Sequence, residues 1–218
     1  MRINTNVASL NAREANMNTQ KNLNNSLEKL SSGLRINKAS DDASGLSIAD
    51  KLRTQASSIG QSILNGSSAV ALTQIADKAM AEQSNILDII KTKLLQAATA
   101  TTSSSGREAI GKDVDKLMDQ LNNIAIQTNY NGIQLLQAGT GVNGGSAAAS
   151  TFQMGETSAN TIATSTGVQA NVSGLTLNAV RVSVSAATTF SAGAATASLT
   201  LIDDAIDTLN GWRSDFGS

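Results

Sequence analysis

The sequence predicts a mainly α fold: an elongated rod of long antiparallel helices, packed like a coiled-coil bundle, with a small β-hairpin region. Three observations carry that prediction. Over residues 44–98 apolar side chains recur at alternating steps of three and four, the spacing of a helix face. The chain contains no proline, where ordinary usage would supply about ten, so nothing interrupts a long helix. Beyond Asn131-Gly132 the three-four period disappears and short β-like runs separated by Gly, Ser, Thr and Ala replace it.

The first element spans residues 1–39. Ile3, Val7 and Leu10, then Leu23, Leu27, Leu30 and Leu34, place one narrow apolar stripe along a helix, weakened between the two runs by Ala12, Ala15 and Met17. The opposite face is Asn, Gln, Ser and Thr. One thin stripe cannot bury itself, so this helix either docks on its own domain or becomes ordered only on assembly. Leu30–Arg53 is a polar joint. Gly33 breaks the first pattern and Ser40-Asp41-Asp42 opens the second, with Ser40 or Asp41 accepting a first-turn N–H.

The second helix carries two stripes. Ala49, Leu52, Ala56, Ile59 and Ile63 lead into Leu72, Ile75, Ala79, Ile86 and Ile89, while Ala76, Met80, Leu87, Ile90, Leu94 and Ala97 form an adjacent face. Two faces imply neighbours on two sides. About 55 residues at 1.5 Å each would span roughly 80 Å. Residues 99–105 form a loop, and Ser105-Gly106-Arg107-Glu108 fits a capping box that starts a third helix. Ile110, Val114, Leu117, Leu121 and Ile124 make its apolar face, and the short loop turns it antiparallel to the second. Asn131-Gly132 ends it in a tight positive-φ turn.

Strands are predicted at Ile133–Leu136, Thr151–Met154 and Val180–Val184. Residues 188–198, rich in Ala, Ser and Thr, read as a loop. A last helix starts near Ser198, with Ile202, Ala205, Leu209, Trp212 and Phe216 as its stripe, and the pattern stops without a closing turn, as in a truncated chain. The resulting segments are 1–42 (N-terminal helix and hinge), 43–139 (two long rod helices), 140–198 (short β and loop region) and 199–218 (start of the C-terminal rod helix).

Composition narrows the chemistry. The chain lacks cysteine and histidine, which removes disulfides, thiolate nucleophiles, ordinary zinc sites and an imidazole base. A net charge of −1 argues against nucleic acid as a partner. No run is long and apolar enough for a membrane span, and residues 1–20 hold no signal-peptide core. Gly139–Gly144 matches G-x-G-x-x-G, but a dinucleotide site needs a helix opening at the glycines, and a strand-like Thr151-Phe152 follows instead. Asp41/Asp42 and Asp203/Asp204 each begin a helix, where the dipole accounts for them. No catalytic set can be assembled, no metal or cofactor is implied, and no enzyme is expected.

The wording of the joint is more specific than its spacing. Leu30-Ser31-Ser32-Gly33-Leu34-Arg35-Ile36-Asn37, Asp41-Asp42-Ala43 and Gly45-Leu46-Ser47-Ile48-Ala49 resemble the N-terminal signature of bacterial flagellin. The resemblance extends to Ile3-Asn4-Thr5-Asn6, Thr128-Asn129-Tyr130-Asn131-Gly132 and Leu201-Ile202-Asp203-Asp204-Ala205, covering most of 1–138 and roughly 199–218. It implies a structural subunit that self-assembles with copies of itself into the flagellar filament, outside the cell, exported without a cleaved signal peptide. It also implies contacts with an export chaperone and with cap and hook-junction proteins. In that family the first segment lines the filament channel as an inner-core helix, and the C-terminal inner-core helix would follow Ser218.

By the same resemblance, the positions read by a Toll-like innate receptor fall on Ile89, Lys93 and Asp113. The family's Arg and Leu are replaced by Ile89 and Lys93, while the acidic position is kept as Asp113. A weak agonist is therefore expected, although the stripe would also suit Ile89 as a plain core residue. A hook–filament junction protein and a helical surface adhesin are the alternative functions.

Overall fold

The computed structural model describes residues 6–139, 141, 144–164, 167–185 and 190–217. Among them run helices α1 (Val7–Ser32), α2 (Ala43–Ala98) and α3 (Ser104–Gln127), then strands β1 (Asn129–Tyr130), β2 (Ile133–Gln134), β3 (Thr151–Gln153) and β4 (Thr161–Ala163). Helices α4 (Asn178–Ser185) and α5 (Ala192–Gly217) complete the order. The chain divides into two compact units, Met1–Gly60 and Gln61–Ser218.

In the second unit the face of α2 formed by Ala76, Met80, Leu87, Ile90, Leu94 and Ala97 is fully buried. It packs with Val114, Met118 and Leu121 of α3 and Ile202 and Leu209 of α5 in one core. The adjacent stripe is divided: Leu72 and Ile86 are buried, Ile75 and Ile89 exposed. Helix α3 runs antiparallel to α2, because Lys93 meets Asp113 while Gln83, earlier in the chain, meets the later Leu121. The core also takes in residues without helical or strand pairing, Val168, Ala170, Val172, Leu175 and Leu177. Buried amides hold this segment. Gln83 Nε2 donates to the carbonyls of Leu121 and Ala170 (3.1 and 2.7 Å), and Val172 N–H donates to Asn122 Oδ1 (2.9 Å).

Strands β1 and β2 form a hairpin in which Asn129 faces Gln134 and Tyr130 faces Ile133. Asn131 (φ 51°) and Gly132 (φ 82°) make the positive-φ turn expected of this dipeptide. The turn belongs to the hairpin rather than to the end of α3, which stops at Gln127 with Thr128 N–H bonded to Ile124 O. A second hairpin pairs β3 with β4, Phe152 opposite Ile162.

Four local expectations are corrected. Ser103, not Ser105, caps α3, accepting from Gly106 N–H at 3.1 Å; Glu108 pairs with Lys112 instead of closing a capping box. Val180–Val184 lies in helix α4 rather than in a strand: Val180 is buried, and Arg181 reaches back to Asp115 and Asp119 of α3. Helix α5 begins at Ala192, within the stretch read as a loop, with Ser191 Oγ accepting from Ala194 N–H. Asp203 and Asp204 therefore lie mid-helix rather than at its start, and Asp203 pairs with Lys91 of α2 instead of meeting the dipole. Helix α2 is capped by Asp42, whose Oδ1 accepts Gly45 N–H at 2.8 Å, and not by Ser40 or Asp41.

Candidate functional site

Helix α1 is capped at both ends but has no buried residue of its own. Asn6 caps its N-terminus by accepting Ser9 N–H at 3.2 Å, and Gly33 ends it at φ 68°, a left-handed conformation that favours glycine. Between the caps, no residue of α1 is buried. Val7, Leu10, Leu23 and Leu27 are each more than half exposed, and Leu30 is 80% exposed. Of the expected stripe, Ile3 lies outside the described residues. Leu34 is exposed but follows the helix cap, so it belongs to the turn and not to the helical face.

The turn after α1 is a fixed structure. Asp41 Oδ2 accepts the N–H groups of Asn37 and Lys38 at 3.2 and 3.3 Å, and its carboxylate lies 3.4 Å from Lys29. The Asn37 N–H bond foremost, and Lys29 with it, holds the Asp41 carboxyl below its ordinary range. Lys38 Nζ donates to Glu28 at 2.6 Å, which raises the lysine's pKa. A Cβ on Gly45 would lie 2.6 Å from Asp42 Oδ2 and 3.0 Å from Ile36 Cδ1, so a larger residue here would push both side chains aside. Past it, Ile48, Leu52 and Ile59 continue the pattern of uncovered apolar side chains in the Met1–Gly60 unit.

Sequence reasoning found the stripe but not the ion pairs that fasten the turn to the last turns of α1. Glu28 and Lys29 lie ten or more positions from their partners, beyond any local helical spacing.

In the second unit, Lys93 Nζ and Asp113 Oδ2 lie 2.8 Å apart and join α2 to α3. Ile89, one helical turn before Lys93, is 46% exposed, which excludes the core role its stripe also suited. The Lys93 side chain donates a hydrogen bond to Asp113 and holds its carboxyl below the ordinary 3.8. Any stability this pair lends is present above the unfolded pKa and is lost as pH falls through the depressed folded value. Replacing Lys93 with Met should therefore move the Asp113 midpoint upward in a carboxyl NMR titration. An unmoved midpoint would refute the pairing.

Among the described residues of the glycine-rich stretch, Gly139, Gly141, Gly144 and Gly145, none is helical. Gln137 Nε2 donates to the carbonyls of Gly139 and Gly141, and Gln169 and Asn171 donate to Gly144 O. Thr140, Val142 and Asn143 of the motif lie outside the described residues. No cluster of metal-binding side chains occurs among the described residues. No described helix is long and apolar enough to cross a membrane.

A model of the bacterial flagellin N-terminal helical region matches residues 3–141. The chain belongs to the bacterial flagellin family. Flagellin B of Helicobacter pylori is 46% identical over 166 residues, covering 76% of this chain and 31% of that protein. Flagellin A of Helicobacter felis is 48% identical over 165 residues, with the same two shares. The chain thus spans about a third of the length of these flagellins. The crystal structure of Bacillus cereus flagellin superimposes with a TM-score of 0.56 at 26% identity, covering 69% of this chain and 79% of that one. The residues that carried the resemblance also build the turn: Gly33 ends α1, Asp41 ties the loop, Asp42 caps α2 and Gly45 lies against Ile36.

Proposed function

We propose that this chain is part of the structural subunit of a bacterial flagellar filament, assembling with copies of itself outside the cell to serve motility, and that it catalyses nothing. The observation that carries this reading is α1: 26 residues with an apolar stripe and no buried residue. Fully covering one leucine contributes about 1.5–3 kcal/mol, so the repeated stripe offers a substantial assembly free energy. Ordering the segment on assembly consumes part of that gain. Residues 1–42 then act as the inner-core helix and hinge, 43–139 and the C-terminal helix from Ala192 as the rod, and 140–191 as the short region between them. An export chaperone and the cap and hook-junction proteins are its further partners, and export proceeds without a cleaved signal.

Electron microscopy of the full-length protein, polymerised alone, tests the reading. Smooth filaments are expected; a protein that stays monomeric at high concentration would refute it. Ile89, Lys93 and Asp113 form the proposed receptor patch. Its lysine is already engaged by Asp113, which supports weak recognition by the Toll-like receptor. Full potency of the intact protein in a receptor reporter assay would overturn that part.

A further inference from the structure

We propose that Met154 is an oxidation site whose conversion to the sulfoxide lifts the tip of the β3–β4 hairpin from α2. The chain has five methionines. Met80 and Met118 are fully buried in the core, and Met17 stands exposed on α1 without a buried neighbour on its helix. Met154 is 36% exposed and also seated. A Cβ added at Gly66 of α2 would lie 2.9 Å from Met154 Cε and 3.6 Å from its sulfur. The thioether therefore rests on the helix backbone at a position with no side chain. Beside it, Asn65 Nδ2 donates to Gln153 O at 2.9 Å. The same side chain lines an apolar cleft of about 480 Å³ with Val70, Phe152, Ile162 and Phe216.

A peroxide supplies the reaction. The sulfur lone pair attacks one peroxide oxygen, the O–O bond breaks, and the S–O bond forms. The sulfur is oxidised by two electrons and the peroxide is reduced to water after a proton shift. The new oxygen is a strong acceptor, and it arises where the nearest backbone N–H groups already serve the α2 ladder. The bulkier, polar sulfoxide no longer fits the close seat on Gly66, so the side chain turns outward and withdraws the hairpin tip from α2. The base of the hairpin stays, because Ser150 and Thr164 are joined by two hydrogen bonds and Phe152 packs on the core. The change is local, and reduction of the sulfoxide reverses it.

The test uses the whole chain carrying Met17→Leu, treated with hydrogen peroxide and followed by peptide mass spectrometry and hydrogen exchange. Met154 should oxidise at least tenfold faster than Met80 and Met118. Exchange across 153–160 and around Gly66 should then rise at least tenfold, with no change in 80–94. Methionine sulfoxide reductase should restore it, and Met154→Leu should abolish the response to peroxide. The proposal is overturned if Met154 oxidises no faster than the buried pair. It is equally overturned if its sulfoxide leaves exchange unchanged, or if the Met154→Leu chain responds like its parent.

Discussion

Gln83→Glu should destabilise the Gln61–Ser218 unit by about 5 kcal/mol at pH 7, about 4 from moving a buried glutamate's pKa by about three units and about 1 from a lost hydrogen bond. The substitution preserves shape and volume, so no cavity or clash contributes. It replaces a side chain with no exposed surface, whose Nε2 donates to the carbonyls of Leu121 and Ala170. A carboxylate there would face two carbonyl oxygens away from the protein surface, so the group must take up a proton to stay. Its folded pKa is then raised above the unfolded value near ~4.3. Relative to the parent, the variant loses stability as pH climbs past that value and continues to lose it up to the folded pKa. Below about pH 4 the neutral acid can donate one hydrogen bond, and the deficit shrinks to the missing second bond, about 1 kcal/mol. Urea unfolding of both chains at several pH values reads this directly. A difference that does not vary with pH would show that Gln83 is not buried between those carbonyls.

Leu27→Ser combined with Leu30→Ser should leave the second unit's unfolding unchanged yet raise the concentration needed for assembly of the full-length protein about a hundredfold. Both leucines are exposed, at 53% and 80%, so neither supports the fold of the single chain, and such surface changes stay within roughly 0.5 kcal/mol. Covered by a neighbouring copy, the two together contribute about 3 kcal/mol, which is close to two factors of ten in an equilibrium constant. Sedimentation of the polymer gives the critical concentration, and calorimetry of the monomer gives the unfolding temperature. Assembly at the parent's concentration, or a lowered unfolding temperature, would each contradict this division of roles.

The long elements were legible because one rule dominates them. Over α2 from Leu72 onward and over α3 the apolar spacing is sustained long enough that propensity and burial agree, and the Asn131-Gly132 turn follows from backbone sterics alone. The misread segments are those where tertiary contacts decide. Val180-Arg181-Val182-Ser183-Val184 alternates like a strand, yet it forms a helix because Val180 enters the core and Arg181 pairs with two aspartates of α3. The preference of valine for strands is too small to resist that.

Residues 192–198 looked structureless because their side chains are small. Small side chains suit a tight core position, and Ala195 and Ser198 are buried while alanine remains the best helix former. The segment from Val168 to Leu177 fills the core with no repeating pattern, so periodicity could not find it. On the exposed face of α1 the stripe is readable from Val7 to Leu30, but Leu34 is read onto that face because its spacing fits. The left-handed Gly33 takes it off that face.

The claim that α1 finds cover only against copies of the same chain is tested most directly by hydrogen exchange at Val7–Ser32. It should be measured on the full-length protein, first as dilute monomer and then as polymer. A helix rich in asparagine and without buried residues should exchange quickly in the monomer. In the polymer its amides should slow by on the order of a hundredfold or more. Strong protection of α1 in the dilute monomer, or fast exchange persisting in the polymer, would contradict the claim.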